Sequence, residues 1–255
     1  MKDRIKKTQA ITLKSIDFRE TSKIITAFSE GFGKLQLIAK GVRNPKSRMS
    51  AALQTFVNTE IVFYKKETTE LYLVKEAALI DFFNNIHHDL TRFHYASVIA
   101  DFLYSLLAQE QISKTLFQYA LFILHKIDQV QKEELPFILS KFLLKGVALI
   151  GFKIELNKCT VCGKEKFSPL YFSHERGGLL CEECKMDDTA VKILRKPLCR
   201  LLSGIQENEG GWNSTEINKE DFMNASLLFS NWIHYHNHRP LKTLDNFIKG
   251  KAFHY

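Results

Sequence analysis

The sequence predicts a multidomain α+β protein. A five-stranded β-barrel is expected in residues 1–80, followed by an α-helical domain in residues 81–255 that carries a four-cysteine knuckle at about 157–186. Three observations predict this. Apolar residues recur at strand-like spacing up to about residue 80 and at helical spacing after it. Two C-x2-C pairs stand eighteen residues apart. The cations are uneven: residues 1–80 hold 15 Lys and Arg against 8 Asp and Glu, and residues 81–255 hold the remaining 21 against 20. Nearly all of the net charge of +8 therefore belongs to the barrel, and a local cation excess in one folded unit is the footprint of a phosphate-rich partner.

The barrel is built from five runs rich in β-branched and aromatic residues: TQAITLKSI, SKIITAFS, KLQLIAK, TFVNTEIVFY and ELYLVKEA. GFG at 31–33 supplies a turn between the second and third runs, and KKETT at 65–69 one between the fourth and fifth. In the fourth run Val57, Thr59, Ile61 and Phe63 alternate with Phe56, Asn58, Glu60 and Val62, the period of a half-buried strand. Five antiparallel strands in about seventy residues suit an OB-fold barrel, with an SH3-like barrel or an open sheet as alternatives.

From Asn84 onward the spacing is helical. DLTRFHYASVIADFLYSLL places Leu90, Phe93, Ile99, Phe102 and Leu106 near a 3.6-residue period, with Asp89 as N-cap. TLFQYALFILHKI and LPFILSKFLLKGVALI continue the pattern, Pro136 suiting a first turn and Gly151 a C-terminal cap. Further helices are expected at 187–203 and 219–238, separated by the turn-rich ENEGGWNST. No run of 18 or more uncharged apolar residues occurs, and MKDRIKKTQA lacks the apolar core of a secretory signal, so a cytoplasmic protein without a membrane partner is expected.

The sharpest motif is CTVCG at 159–163 with CEEC at 181–184. Two residues between cysteines let both thiolates of a pair reach one ion, and two such pairs complete an S4 shell from Cys159, Cys162, Cys181 and Cys184. Four thiolates favour zinc, one structural ion per chain, although an iron–sulfur cluster uses the same ligand number and a redox dithiol uses the same pairs. SPLYFSHERGGLLC between them reads as a hairpin with a Gly-Gly turn, as in a zinc ribbon. A closed S4 shell leaves no position for a catalytic water. The H-x-E and P-C-x-x-C segments of zinc deaminases are absent, as are phosphate-loop, G-x-S-x-G and H-E-x-x-H motifs, so no enzyme is expected. Cys199, on the run LCRLL, reads as a small buried side chain. In HYHNHRP, His234 and His238 are four apart and suit either a metal pair or a helix ending before Pro240.

These segments resemble the RecO family of bacterial recombination mediators along essentially the whole chain. The resemblance is carried by FRETSKIITAFSEGFGKLQLIAKGVRNPKSR, by CTVCG…GGLLCEEC and by the terminal HRPLKTLDNF. It implies an OB-fold followed by a helical domain, and a non-enzymatic DNA repair function. Members bind single- and double-stranded DNA without sequence preference and anneal complementary strands. With RecR they help RecA load onto strands coated by single-strand-binding protein (SSB), whose acidic, Phe-ended tail they contact. Some members lack the cysteines, so the metal supports the fold without defining the function.

Candidate DNA contacts follow. The loop KGVRNPKSR, after the third strand, places Lys40, Arg43, Lys46 and Arg48 on a segment shaped by Gly41 and Pro45. At a barrel rim these cations would meet phosphates without reading bases. Lys34 and Lys23 are secondary candidates, and Lys6 and Lys7 add charge near the terminus. Among Phe18, Phe32, Phe56, Tyr64 and Tyr72, Phe32 in the GFG turn is the expected exposed ring for stacking a base. Lys141 and Lys145, four apart on one helix, could rim an apolar groove for the SSB tail. The competing reading is a zinc-stabilised protein-interaction scaffold whose basic barrel faces acidic proteins, with no annealing activity.

Overall fold

The computed structural model describes residues 5–66, 68–185, 191–207 and 219–250. The chain divides into two compact units, Met1–Val130 and Gln131–Tyr255.

In the first unit β1 (Ile5–Phe18), β2 (Ser22–Ser29), β3 (Gly33–Ala39), β4 (Asn58–Tyr64) and β5 (Leu71–Asp81) form a closed barrel. The order is β1-β2-β3-β5-β4, β4 pairing back onto β1 and the short β3–β5 ladder being parallel. This is the expected OB-type barrel. Closure depends on the length of β1, whose first half pairs with β4 and second half with β2. A bulge between Thr12 and Lys14 bends the strand between the two ladders. The interior is filled by aliphatic and aromatic residues such as Ile25, Leu35, Leu37, Ile61 and Phe63, each fully buried. In β4, Thr59, Ile61 and Phe63 point inward as the alternation predicts, but the strand begins at Asn58. Phe56 lies before it in a left-handed conformation (φ 59°) and packs on Phe93.

Three helices complete this unit: α1 (Asn84–His88), α2 (Leu90–Leu106) and α3 (Lys114–Gln129). Asp89 caps α2 as expected, its carboxylate accepting from the Arg92 amide at 3.0 Å. Ser113 caps α3 in the same way. Leu90 does not join the buried face and is 64% exposed, because it occupies the first turn beside the cap, while Tyr95–Ala100 are buried around most of the helix.

The segment joining α2 to α3 is fastened to the barrel. Lys34 Nζ donates to the Tyr104 and Leu107 carbonyls, each at 2.6 Å. The Glu110 amide donates to the Lys34 carbonyl at 3.1 Å. The Glu110 carboxylate accepts from Lys65 at 2.6 Å and from the Tyr72 hydroxyl. Gly33 is required at this approach: its φ is +67°, and a Cβ would stand 2.4 Å from the Gln111 carbonyl oxygen.

In the second unit α4 (Leu135–Leu149) is apolar around most of its circumference and largely buried. Pro136 sits in its first turn and Gly151 (φ +97°) follows its end, as predicted. A small sheet then forms in the order β6-β8-β7-β9 from β6 (Glu155–Cys159), β7 (Leu170–Ser173), β8 (Gly178–Leu180) and β9 (Lys192–Leu194). The β7–β8 hairpin matches expectation, although its turn is 174–177 and Gly178 already belongs to β8. A Cβ on Gly178 would meet the Glu155 carbonyl oxygen at 2.6 Å, so the second glycine serves the close β6–β8 approach.

Of the helix expected at 187–203, residues 187–190 lie outside the described residues, and the described part begins later than expected. Residues 192–194 pair with β7 as β9, and α5 runs Lys196–Glu207 with Pro197 in its first turn. α6 (Lys219–Asn237) and α7 (Lys242–Ile248) follow, with Leu241 and Leu244 fully buried. Most of the turn-rich ENEGGWNST lies outside the described residues. Among the described residues, no helix is long and apolar enough to cross a membrane.

The Glu110 cluster yields a pH-dependent prediction. Bonds from Lys65 and Tyr72 hold the Glu110 carboxyl below its ordinary value of 4.5, against the opposing effect of burial. Burial and then the Glu110 bond push the Tyr72 hydroxyl up to about 12. A carboxyl with a depressed folded-state pKa stabilises above its unfolded pKa and stops doing so as pH falls through the folded value. Glu110→Gln should therefore cost about 1 kcal/mol at neutral pH. That is low for hydrogen bonds to a charge, because the Lys65 and Glu110 side chains remain 31% and 35% exposed. Urea melts of both proteins should show this gap constant from pH 8 to about 5 and closing below the ordinary carboxyl pKa.

Candidate nucleic-acid interface and metal centre

The loop after β3 is a chain of turns. The Arg43 amide donates to the Thr21 carbonyl at 3.0 Å, Asn44 to Gly41 at 3.2 Å, and Ser47 to Asn44 at 2.8 Å. Gly41 takes φ +69° to leave the strand. Val42, 1% exposed, inserts into the barrel core and pins the loop, and Met49 packs against the same cluster. The loop is consequently fixed beside the β1–β2 turn.

Its cations are not equivalent. Lys40, Lys46 and Arg48 are exposed and make no ion pair among the described residues. Arg43 is exposed but held: its guanidinium lies 3.1 Å from the Asp17 carboxylate and donates to the Arg19 carbonyl at 2.9 Å. Lys23 approaches the other Asp17 oxygen at 3.9 Å. Lys34 stands apart from this group, half-buried on the α2 carbonyls, and burial lowers its pKa. Lys7 pairs with Glu60 at 2.8 Å.

The ring expected to be exposed is not. Phe32 packs edge-on against Phe63 with centroids 5.4 Å apart and has Lys65 above it. The turn folds back because the Ser29 hydroxyl accepts from the Phe32 amide and donates to the Gly33 carbonyl. Phe56 and Tyr72 are buried, whereas Phe18 and Tyr64 are half-buried. Arg19 was not anticipated by sequence reasoning. It is exposed in the β1–β2 turn at φ 54°, its guanidinium 5.2 Å from the Phe18 ring centroid, next to the Arg43 contact. The adjacent Phe-Arg pair in FRETSK was the available signal.

In the second unit the four cysteines converge. Their Sγ atoms all lie within 4.8 Å of one another, with Cys162 and Cys181 at 3.7 Å. A tetrahedral ion with bonds of about 2.3 Å separates its sulfurs by roughly 3.8 Å, so the set fits one ion. β6 ends at Cys159 and β8 delivers Cys181, both buried, while the turns carry Cys162 and Cys184. Each pair is closed by an amide: Gly163 donates to the Cys159 carbonyl at 2.9 Å and Cys184 to the Cys181 carbonyl at 3.1 Å.

Burial opposes a charged thiolate at Cys159, yet the amides of Cys162, Cys181 and Val161 overcome it and bring the pKa down to about 6. Its neighbour responds oppositely. Hydrogen bonding with Cys181, then burial, pushes the Cys184 thiol up to about 12. Thiolates this close repel, and a cation is what lets all four ionise together. Cys199 is buried and donates to the Leu156 carbonyl at 3.4 Å, and burial raises its pKa, as a packing role requires. His234 and His238 do not share a helical face: α6 ends at Asn237 and His238 has φ 52°.

Lys141 and Lys145 do come together, at a cavity of about 270 Å³ that has Leu144, Ala148 and Leu149 of α4 and Ile205 of α5 in its wall. Lys153, missed by the sequence argument, is a third cation there. Burial, followed by repulsion from Lys145, lowers the Lys141 pKa.

Residues 1–83 match the family model for the recombination protein O N-terminal region, and residues 87–245 match that for its C-terminal region. The chain belongs to the RecO family. The DNA repair protein RecO of Thermoanaerobacter sp. (strain X514) is 39% identical over 182 residues, covering 71% of this chain and 72% of its own. The DNA repair protein RecO of Caldanaerobacter subterraneus subsp. tengcongensis is 34% identical over 199 residues, 78% and 79% of the two chains. That of Desulforamulus reducens is 28% identical over 248 residues, 95% and 93%. The boundary between the two RecO models, at 83–87, falls where the barrel gives way to α1.

The cysteine geometry predicts one tetrathiolate-bound ion per chain. Elemental analysis should return about one metal per chain in the wild type and none after the double change Cys159→Ala, Cys181→Ala. Two remaining thiolates hold an ion too weakly, so stoichiometric metal in the double variant would refute the ligand set. Loss of the ion should also lower the melting temperature of the second unit, since binding free energy at such sites contributes to folding.

Proposed function

We propose that this chain is a DNA repair and recombination mediator, working in the cytoplasm at the nucleoid. It binds single- and double-stranded DNA without sequence preference and anneals complementary strands coated by SSB. With RecR it assists RecA loading. The observation that carries the DNA reading is the loop itself: Lys40, Lys46 and Arg48 are exposed on a segment anchored by Val42, next to Arg19 and Arg43. Cations on a fixed loop position a phosphate backbone, and because they meet no base edges they treat all sequences alike. Annealing any complementary pair needs that indifference, together with relief of phosphate repulsion as two strands approach. RecR and RecA enter from the family resemblance.

The cysteine site holds zinc in this reading, since a closed S4 set suits a d10 ion without redox chemistry. Its task is to fasten β6 and β8, and it leaves no open position for a reacting water.

The cavity at α4 and α5 is assigned to the SSB tail. An acidic peptide ending in Phe needs an apolar slot for the ring and cations for its carboxylates. Leu144, Ala148, Leu149 and Ile205 supply the first, and Lys141, Lys145 and Lys153 the second.

Two measurements test these assignments. Changing Lys40 and Lys46 together to Glu should weaken binding to unrelated oligonucleotides alike by about tenfold or more. It should also flatten the slope of log K against log salt, by roughly 0.7 to 0.9 for each phosphate no longer neutralised. The same variant should lose acceleration of annealing between two SSB-coated complementary strands. Unchanged affinity and slope would remove the loop from the DNA path. Lys145→Glu with Lys153→Glu should abolish binding of an SSB-tail peptide while leaving naked-DNA affinity within about twofold. Peptide binding that survives would place the tail elsewhere.

A further inference from the structure

The loop cations account for phosphate binding in that reading, but a protein that handles single strands must also meet unpaired bases, and of the barrel rings named above Phe56 and Tyr72 are buried while Phe18, Phe32 and Tyr64 are half-buried. The outer face of the sheet offers another place. Its outward rows can be followed through the register. Ile11 pairs with Phe28 and Phe28 with Lys34. This row is sealed: Phe28 is fully buried against Phe117 of α3, and Lys34 is bound to the end of α2. The next outward row is Lys14, Thr26, Gln36 and Leu71. Beyond it lies Ile16, Ile24, Ile38 and Leu73. Neither row contains an acid. Ile16 is 45% exposed and Leu71 36%, while Ile24, Ile38 and Leu73 are half-exposed, so an aliphatic strip crosses four strands at the surface.

A ring stands where the helical cover begins. Tyr104, in the last turn of α2, is 41% exposed, with Lys34 Nζ 5.2 Å and Lys14 Nζ 5.8 Å from its ring centroid. Its backbone is fixed, because its carbonyl is one of the two that accept from Lys34. From Lys34 the sheet runs six residues to Lys40, roughly 20 Å at about 3.3 Å per residue, which is room for a short run of nucleotides.

We propose that Tyr104, Lys14 and the aliphatic strip form a platform for the unpaired bases of a single strand, continuous with the phosphate-binding loop. Tyr104 stacks a base, Lys14 meets an adjoining phosphate, and the Ile16–Leu73 row receives the faces of the following bases. The occupant is a single strand on two grounds. The two open rows carry one lysine, Lys14, and no acid, and they lead to the cationic loop that begins at Lys40, which suits a polyanion. Its exposed surface is also apolar and aromatic, which unpaired bases can cover and a duplex, whose bases already stack on one another, cannot. The inference rests on the DNA-binding reading above and adds to it a division of labour: the loop serves both forms of DNA, and the platform serves one.

The test compares wild type, Tyr104→Ala, Tyr104→Phe and the Lys40/Lys46 double Glu variant. Each is titrated with a mixed-sequence single-stranded 30-mer and with its duplex at fixed salt, and the single strand carries 2-aminopurine to report stacking. Tyr104→Ala should bind the single strand roughly 5- to 150-fold more weakly, the span of about 1–3 kcal/mol per stacked base. Its duplex affinity should stay within about twofold and the 2-aminopurine quench should vanish. Tyr104→Phe should restore affinity and quench, which a merely destabilised helix end would not do. The loop variant should weaken both substrates. Equal single-strand affinity in Tyr104→Ala, or an equal loss for both substrates that Phe does not rescue, overturns the platform while leaving DNA binding in place. Failure of the wild type to bind either substrate would instead overturn the DNA-binding reading on which the platform depends.

Discussion

The Lys34 ammonium, held between the carbonyls of Tyr104 and Leu107, decides which part of the barrel is sealed and which is open. A five-stranded barrel can fill its interior with its own side chains, but it also has an outer surface. Part of that surface is as apolar as a core, as the full burial of Phe28 shows. Helices α2 and α3 cover that part, and a charge on the last carbonyls of α2 fixes where the cover stops, since a cation is favoured at a helix C-terminus. Gly33 allows the joining segment to come close enough, and Glu110 with Lys65 and Tyr72 fastens its far side. The open remainder of the sheet and the loop after β3 are what a partner can reach.

This arrangement explains which readings the sequence carried. The barrel was legible because its strands are rich in β-branched residues and because Thr59, Ile61 and Phe63 alternate as a half-buried strand should. The cysteine set was legible because two residues between cysteines is a constraint of coordination geometry that needs no tertiary information. The role of Lys34 was not. Sequence shows a lysine opening a strand, and only the approach of a segment some 70 residues later turns that lysine from a surface charge into a helix-end partner. Phe32 was misjudged for a related reason: a glycine-flanked aromatic suggests exposure, but Ser29 folds the turn back so that the ring meets Phe63. The 187–203 segment failed at the boundary between competing preferences, since its helical spacing lost to pairing with β7 over Lys192–Leu194.

The two charged features work under different electrostatic conditions. The Lys40 loop is in water, where each cation contributes little alone and its effect is screened by salt within about 10 Å. Contacts of that kind are exchanged easily. The cysteines are close together and partly buried, and the Cys184 thiol is pushed up first by its hydrogen bond with Cys181 and then by burial. A metal bound there is not exchanged easily, because releasing it would return mutually repelling thiolates to a desolvated site. The exposed cations thus lie in one unit and the clustered cysteines in the other.

That separation bears on how an annealing protein must work. A mediator that gripped DNA through deeply buried ion pairs would hold its product, since breaking such a pair strands an uncompensated charge. Exposed lysines on a fixed loop avoid this. In the function proposed above, they would gather phosphates by displacing counterions and release them when salt or a competing strand supplies a substitute. The loop must nevertheless be rigid, because cations on a mobile segment would lose part of their binding free energy to ordering. Val42 and Met49 in the core beneath the loop, and the run of hydrogen-bonded turns through Arg43, Asn44 and Ser47, supply that rigidity without burying the charges themselves.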